Sequence, residues 1–442
     1  MRIAQPPIRT YTRCRSWENM KYCNHTYTLA VAGCLLCITP TTHATPASLK
    51  PTSPTSCPRE VTYEEFRAIA FQHSPLVAEI DSQYAQEVSR AYDTEVLRNP
   101  EVHVEQVYTR MKLGGADDSQ TNASLSLPLR LSNFGAKARV AALLRKAGDA
   151  ERQAKVLELS QKVLVQYSQL YMLQRSLEFI ELAERRAGRH ISQIKEGVAA
   201  GLLSAGDRHI FEAEKYRLEA QRAGIQSSLA TLHAEHSLSL GIPCSLKATK
   251  PFVWSELPSE DTLISKATAS TLSEPTRVDL LIALTAEQKQ LAALDAFPEV
   301  SPRIVYQHTN DGGDFLGAGL SIPLPFFNRN QGAINKANFE ANAALRTREI
   351  LRNGGLEARV RALRRAAISS AEQARVMHSK VVPAFERALA AEEQLHKEGK
   401  ASVLEVWQTF RIFNDAQREA LAMWQTSLHA RVQLSLMVGE EL

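Results

Sequence analysis

"GLSIPLPFFNRNQGAINKA", residues 319–337, begins as a strand and ends as a helix. Leu320, Ile322 and Leu324 alternate with Gly319, Ser321 and Pro323, the period-two pattern of a strand with one apolar face. "NQGAINKA" then opens a long run rich in Ala, Glu and Arg, with Pro323 and Pro325 standing at the join. The same plan occurs earlier in "SLSLPLRLSNFGAKARVA", residues 124–141. Pro128 and Pro323 are 195 residues apart, nearly half of a 442-residue chain.

Working outward, each of these exits is the second of two strand-like runs. Residues 101–109 and 121–131 flank the polar loop "MKLGGADDSQ"; in the second run Ala123, Leu125, Leu127 and Leu129 face one way and Asn122, Ser124 and Ser126 the other. Residues 302–309 and 315–324 are joined by "NDGG", and Leu316, Ala318, Leu320, Ile322 and Leu324 share one face. Helices precede both pairs. Thr62 and Glu65 have the spacing of a capping box, Pro75 breaks the run, and a second helix reaches about Leu97. "STLSEPTRVDLLIALTAEQKQLAAL" is its counterpart, with Pro275 matching Pro75.

Long helical hairpins follow both pairs. No proline occurs from 129 to 242, and only Pro383 from 326 to 442. Val156, Leu159, Val163, Gln166, Leu170, Leu173, Leu177, Ile180, Glu184, Ala187, Ile191, Ile194 and Val198 are spaced alternately three and four apart, a heptad seam with polar interruptions at Gln166 and Glu184. As one helix, residues 136–200 would be about 100 Å long. "AAGLLSAGD" reads as the turn and 207–240 as the return. Gly201, Ser204 and Asp207 match Gly399, Ser402 and Glu405, each 198 residues on. The expected organisation is a tandem duplication, 61–242 and 261–442, joined by a linker at 243–260.

Residues 1–44 carry five basic residues and one acid, which accounts for the whole net charge of +4. The remainder is neutral, with 47 of the 52 basic and 47 of the 48 acidic residues, so no nucleic-acid footprint is expected. "LAVAGCLLCI", 29–38, has the length of a signal-peptide core and is too short to span a bilayer. With Lys21 before it and Thr42, His43 and Ala44 after it, a start at Met20 and cleavage after Ala44 are expected. "VAGC" also resembles a lipobox with Cys34 as the acylated residue, although the apolar run continues past it through Leu35, Leu36 and Ile38. Residues 45–60, with four prolines, read as an extended lead. Beyond the leader only Cys57 and Cys244 remain; in an exported protein they can pair, or stand as isolated thiols.

Nothing in the pattern points to catalysis, a cofactor or a resident metal. The twelve histidines are scattered, without HxxxH or HExxH, and His233 and His236, three apart near a helix end, read as surface or packing residues. Strands with one wholly apolar face fit a membrane β-sheet, its outer face to lipid and its inner face to water. Strands of a soluble sandwich leave unexplained why four of them come as two isolated pairs flanked by long helices. Four strands cannot close a barrel, and an open edge in lipid leaves backbone groups unpaired. Copies of the chain must then share one barrel.

The exits "SLSLPLRL" and "GLSIPLPFFNRNQGAI" and the hairpin turns "AGLLSAGDRHIFEAE" and "EGKASVLEVWQTF" resemble the outer-membrane factors, the TolC-type efflux channels, over essentially everything after residue 60. "SIPLPFFNRNQGAI" looks most like the heavy-metal, CzcC-like branch. The resemblance implies a mainly α fold in which duplicated hairpins form a periplasmic tunnel. It implies a homotrimer sharing a 12-stranded outer-membrane barrel, with a periplasmic adaptor and an inner-membrane RND-type pump as partners. Conduction would be passive. It further implies that the turns form the periplasmic tip and that Glu405 constricts the entrance, with Asp207 near it and Gln408 where relatives often carry a second acid. Both acids also suit the first turn of a helix. Three readings compete: a multidrug or type I secretion channel, a periplasmic adaptor, which would have one hairpin flanked by β-rich domains, and a structural coiled coil, which leaves the strands unexplained.

Overall fold

The computed structural model describes residues 60–109, 118–241, 245–252 and 256–442. The leader, Cys34, Cys57 and Cys244 lie outside the described residues.

A two-residue strand, β1 (Glu60–Val61), leads into α1 (Tyr63–His73). Thr62 caps α1 through the reciprocal bonds with Glu65 that the sequence announces. Ser74 ends α1 and caps α2 (Pro75–Glu95), whose first residue is Pro75, where the missing N–H costs nothing. Strands β2 (Glu101–Thr109) and β3 (Asp118–Ser126) follow. β3 starts three residues before the expected 121 and stops five before 131, because Pro128 has no N–H to extend the ladder. Leu129 nonetheless bridges to Val300.

The first hairpin is α3 (Ala136–Ala199), 64 residues without a break, and α4 (Ala205–Leu240). None of the thirteen seam positions is exposed. The polar interruptions lock the register: Gln166 donates to Ser239 at 3.2 Å and Glu184 accepts from Arg222 at 3.0 Å, both partners lying on α4. A buried polar pair holds one alignment because any slip leaves both groups unpaired.

The segment read as a plain linker contains β4 (Lys247–Ala248), which pairs in parallel with β1. Helices α5 (Glu260–Ala269) and α6 (Glu274–Leu294) then precede β5 (Ser301–Thr309) and β6 (Asp314–Ser321). β6 ends at Ser321 rather than 324, again just ahead of a proline. Pro275 takes the second position of α6, not the first as Pro75 does in α2.

The second outgoing arm is not one helix. It runs as α7 (Gln331–Ile350), α8 (Leu356–Val376) and α9 (Val382–Lys397), with α10 (Val403–Val438) returning. At Leu351–Gly355 the helix opens, Asn353 and Gly354 leave helical geometry, and Gly354 takes φ 85°. Glycine is required in this conformation, and a Cβ on Gly355 would lie 2.5 Å from the Ile350 carbonyl oxygen. At Met377–Val381 a wide, π-type turn precedes Pro383, giving the ring room it would lack in a regular helix.

Three cores hold this together. Phe66 and Ala70 of α1 pack with Val163, Tyr167 and Leu170 of α3 and Leu232 and Leu240 of α4. Leu263 and Ala267 of α5 pack in the corresponding way with Val360 of α8 and Leu434 and Val438 of α10. The third core joins the two hairpins: Ile180, Ala187, Ile191 and Ile194 of α3 and Phe211 and Leu218 of α4 meet Leu389 of α9 and Val406, Phe410 and Phe413 of α10.

Candidate functional site

The strands do not form two separate pairs. β3 pairs antiparallel with β5, giving one four-stranded sheet in the order β2-β3-β5-β6. The register sorts the side chains into rows. Val102, Leu125, Ile304 and Ala318 are aligned across all four strands, as are Val104, Ala123, Tyr306 and Leu316. Leu320 opposes Pro302 on the same face. The next row outward, Gln106, Thr121, His308 and Asp314, is polar, with His308 2.8 Å and the Tyr306 hydroxyl 2.7 Å from Asp314. On the opposite face lie Glu101, Ser126, Arg303 and Gly319, then His103, Ser124, Val305 and Gly317, then Glu105, Asn122, Gln307 and Phe315. One face is thus an apolar band and the other is mostly polar. Leu316, Ala318, Leu320 and Ile322 are all exposed in a single chain, Leu316 at 79 %. β2 and β6 are both edge strands.

Below the sheet a polar neck fastens strands to helices. Arg130 reaches Asp295 at 3.1 Å and Glu299 at 3.7 Å, Arg98 meets Glu299 at 3.3 Å, and the Asn133 amide donates to Asp295 at 2.6 Å. Ser132 donates to the Leu294 carbonyl and Asn330 to that of Ala292. The two strand-to-helix exits therefore share one anchor, the end of α6. Sequence reasoning did not find this cluster. Its only sequence signal is that charged residues recur where elements end, as in "NPEV" (99–102) and "FPEV" (297–300).

At the far end the two hairpin turns are built alike. Gly201 and Gly399 both take positive φ, 71° and 74°, and Ser204 and Ser402 cap the returning helices. Asp207 and Glu405 close the capping boxes: Asp207 accepts from the Ser204 N–H at 3.0 Å and Glu405 from the Ser402 N–H at 2.7 Å. These bonds, backbone first and hydroxyl second, hold the Glu405 carboxyl below its usual range. Within one chain the shift is thus opposite to the rise that mutual repulsion among acids would cause. Glu405 and Gln408 are exposed one turn apart on α10, and Asp207 is half-buried on α4. The turns themselves are carried to the same end by the core between the hairpins. Beside that core His190 of α3 meets Glu393 of α9 at 3.1 Å, and Arg186 lies 3.8 Å from Glu386. His190, with Arg186 and Arg189, lowers the Glu393 pKa.

No helix among the described residues is long and apolar enough to cross a membrane.

No protein-family model matches the sequence. No curated protein matches it either. Solved structures do. The outer membrane protein VceC of Vibrio cholerae superposes with a TM-score of 0.67 at 15% identity, over 86% of this chain and 96% of its own. The MtrE outer membrane channel of Neisseria gonorrhoeae, in its open state, gives 0.68 at 15% over 86% and 89%. The CmeC outer membrane channel of Campylobacter jejuni gives 0.69 at 11% over 89% and 90%. The fold is that of outer-membrane channels. Similarity at this identity resides in the path of the chain.

Proposed function

We propose that the chain is the outer-membrane channel subunit of a tripartite efflux system, a passive conduit and not an enzyme. The observation that carries this reading is the four-stranded sheet, with aligned apolar rows on one face, a mostly polar opposite face and two open edges. In lipid each unpaired backbone group costs several kcal/mol, so β6 of one copy must pair with β2 of the next. Three copies would give twelve strands, enough for a barrel whose polar face lines a water-filled lumen. The chain would then consist of two repeats, 61–242 and 261–442, whose hairpins continue the barrel wall as a periplasmic tunnel. At the tip, Glu405 with Asp207 and Gln408 would line the entrance facing a periplasmic adaptor and an inner-membrane RND-type pump. Cys57 and Cys244 would form a bridge between the N-terminal lead and the linker.

The proposed cargo is heavy-metal cations, supported by the stretch "SIPLPFFNRNQGAI". Fractionation tests the channel reading: the protein should require detergent, travel with the outer membrane and migrate as a trimer, and recovery as a soluble periplasmic monomer would overturn it. A deletion strain compared on zinc, cobalt, cadmium, nickel, copper and organic toxicants tests the cargo. Sensitivity to organic toxicants alone would favour a multidrug channel.

A further inference from the structure

The strand ladder by itself is too short for a bilayer. Within β6 the apolar row runs from Leu316 to Leu320, about 14 Å of chain at ~3.4 Å per residue. Strands tilted by about 40° turn that into roughly 11 Å along the membrane normal, against an apolar band of about 25 Å. Outward the band stops at the polar row of Gln106, Thr121, His308 and Asp314. The missing height has to come from the helix side.

The strand-to-helix exits supply it. Leu127, Leu129 and Leu131 keep the alternation of Ala123 and Leu125: the Leu127 N–H donates to the Pro302 carbonyl at 3.1 Å, and Leu129 and Val300 exchange backbone bonds. Ser126, Pro128 and Arg130 take the other parity, and Arg130 enters the polar neck. In the second exit Ile322 and Leu324 each precede a proline, which favours extended backbone. Ala123 to Leu131, like Leu316 to Leu324, is eight residue steps, about 27 Å of chain and roughly 21 Å of height.

Four phenylalanines complete the lower rim. Phe134 and Phe297 flank the bond between Asn133 and Asp295, and Phe326 and Phe327 stand just before Asn330, whose amide donates to the Ala292 carbonyl at 2.8 Å. All four therefore gather at the end of α6. All are exposed, Phe327 at 97 %, and a clustered apolar surface of this kind marks a contact with another phase or molecule. Position selects which. Phe134 and Phe297 belong to the exits of the inner strands β3 and β5, so a second copy joined through the edges β2 and β6 leaves them uncovered. Tyr306 and Tyr108 lie on the same face at the outer end, giving the band aromatic side chains at both limits, as at the two interfaces of a membrane barrel. Just beyond the phenylalanines come Lys137 and Arg329, neither of which makes an ion pair among the described residues.

We propose, on the channel reading given above, that the strand-to-helix exits lie inside the membrane and that Phe134, Phe297, Phe326 and Phe327 form a collar seated in inner-leaflet phospholipid, with Lys137 and Arg329 against its phosphates. The bilayer midplane then falls at the level of Leu320, halfway between Asp314 and Phe326.

Depth-resolved tryptophan quenching tests the collar. The full chain is folded into vesicles of phosphatidylcholine and phosphatidylglycerol brominated either near the headgroup or near the chain end. Phe327→Trp, Phe134→Trp and Leu320→Trp are compared with the native protein, whose own four tryptophans are subtracted, and migration as trimer on gels shows that each variant assembles. Emission added at 327 and at 134 should be blue-shifted and quenched more by the shallow bromine, and emission added at 320 more by the deep one. Quenching at 320 with none at 327 and 134 would overturn the collar and leave the channel reading standing, whether the new side chains then emit as if in water or as if covered by a second copy. No quenching at any of the three positions would overturn both.

Discussion

The facing of β6 can be tested by a single charge moved along one strand. Within β6 the apolar face runs through Leu316, Ala318 and Leu320, four residue steps or about 14 Å at ~3.4 Å per residue, and Leu320 is its last member before the strand ends at Ser321. Its side chain is 61 % exposed in the isolated chain and lies on the apolar face, opposite Pro302. Leu320→Arg would place a guanidinium on the lipid-facing row within β6, which costs up to about 2–4 kcal/mol per chain on a barrel surface, the full amount applying at the midplane. Leu324→Arg, at the rim, should cost about 0–1 kcal/mol, and Ile322→Arg, beyond the end of β6, an intermediate amount. Ser321 opposes Ser301 on the other face, so Ser321→Arg points into the lumen and should assemble nearly as the native chain does. The assay is urea-dependent folding into vesicles, with heat-modifiable trimer on gels as a second readout. If Ser321→Arg were as damaging as Leu320→Arg, or if the loss did not decline from 320 to 324, the assignment of faces would be refuted.

Other outcomes follow from buried and capping groups. Because the folded pKa of His236 is about 4, below the ordinary 6.5, the unfolded chain takes up the proton first. Stability should therefore fall as pH drops from about 6.5 to about 4, by an order of 3 kcal/mol, and His236→Phe should flatten that stretch of the curve in denaturant titrations. Glu405→Gln keeps the capping box, since Gln closes it as Glu does, and removes only the charge. In planar bilayers it should lower cation preference and weaken block by multivalent cations with the trimer intact, and unchanged conduction would exclude Glu405 from the entrance. Gly241 takes φ 67°, and a Cβ there would meet the His73 carbonyl oxygen at 2.6 Å, so Gly241→Ala should cost more than 1 kcal/mol in a thermal melt. Mass spectrometry of unreduced protein should find Cys57 joined to Cys244, and two free thiols would end that pairing.

Much of the architecture is legible in the sequence because it depends on local periodicity. Alternation over Leu316–Leu320 marks a strand face whatever the strand pairs with, and the three-four spacing from Val156 to Val198 marks a helix seam before its partner is known. The turns are equally local: Gly201 and Gly399 supply positive φ, and Ser204 with Asp207 and Ser402 with Glu405 close their own caps. Tertiary structure decided whatever depends on residues far apart in the chain. Pairing of β3 with β5 brings residues 120–126 against 303–309, and no local pattern specifies that choice. The neck joins Arg98, Arg130, Asn133, Asp295 and Glu299 through contacts spanning 162 to 201 residues, so each reads alone as an ordinary charge or amide. Gly354 and Gly355 stand side by side in the sequence, but whether a helix bridges or yields at such a pair is set by what packs on either side. Here α7 packs on α6 and α8 on α5 and α10, and the chain yields between them. His236 shows the same division: the sequence leaves it a surface or packing residue, whereas its burial against Phe66, 170 residues away in the chain, is decided by the fold.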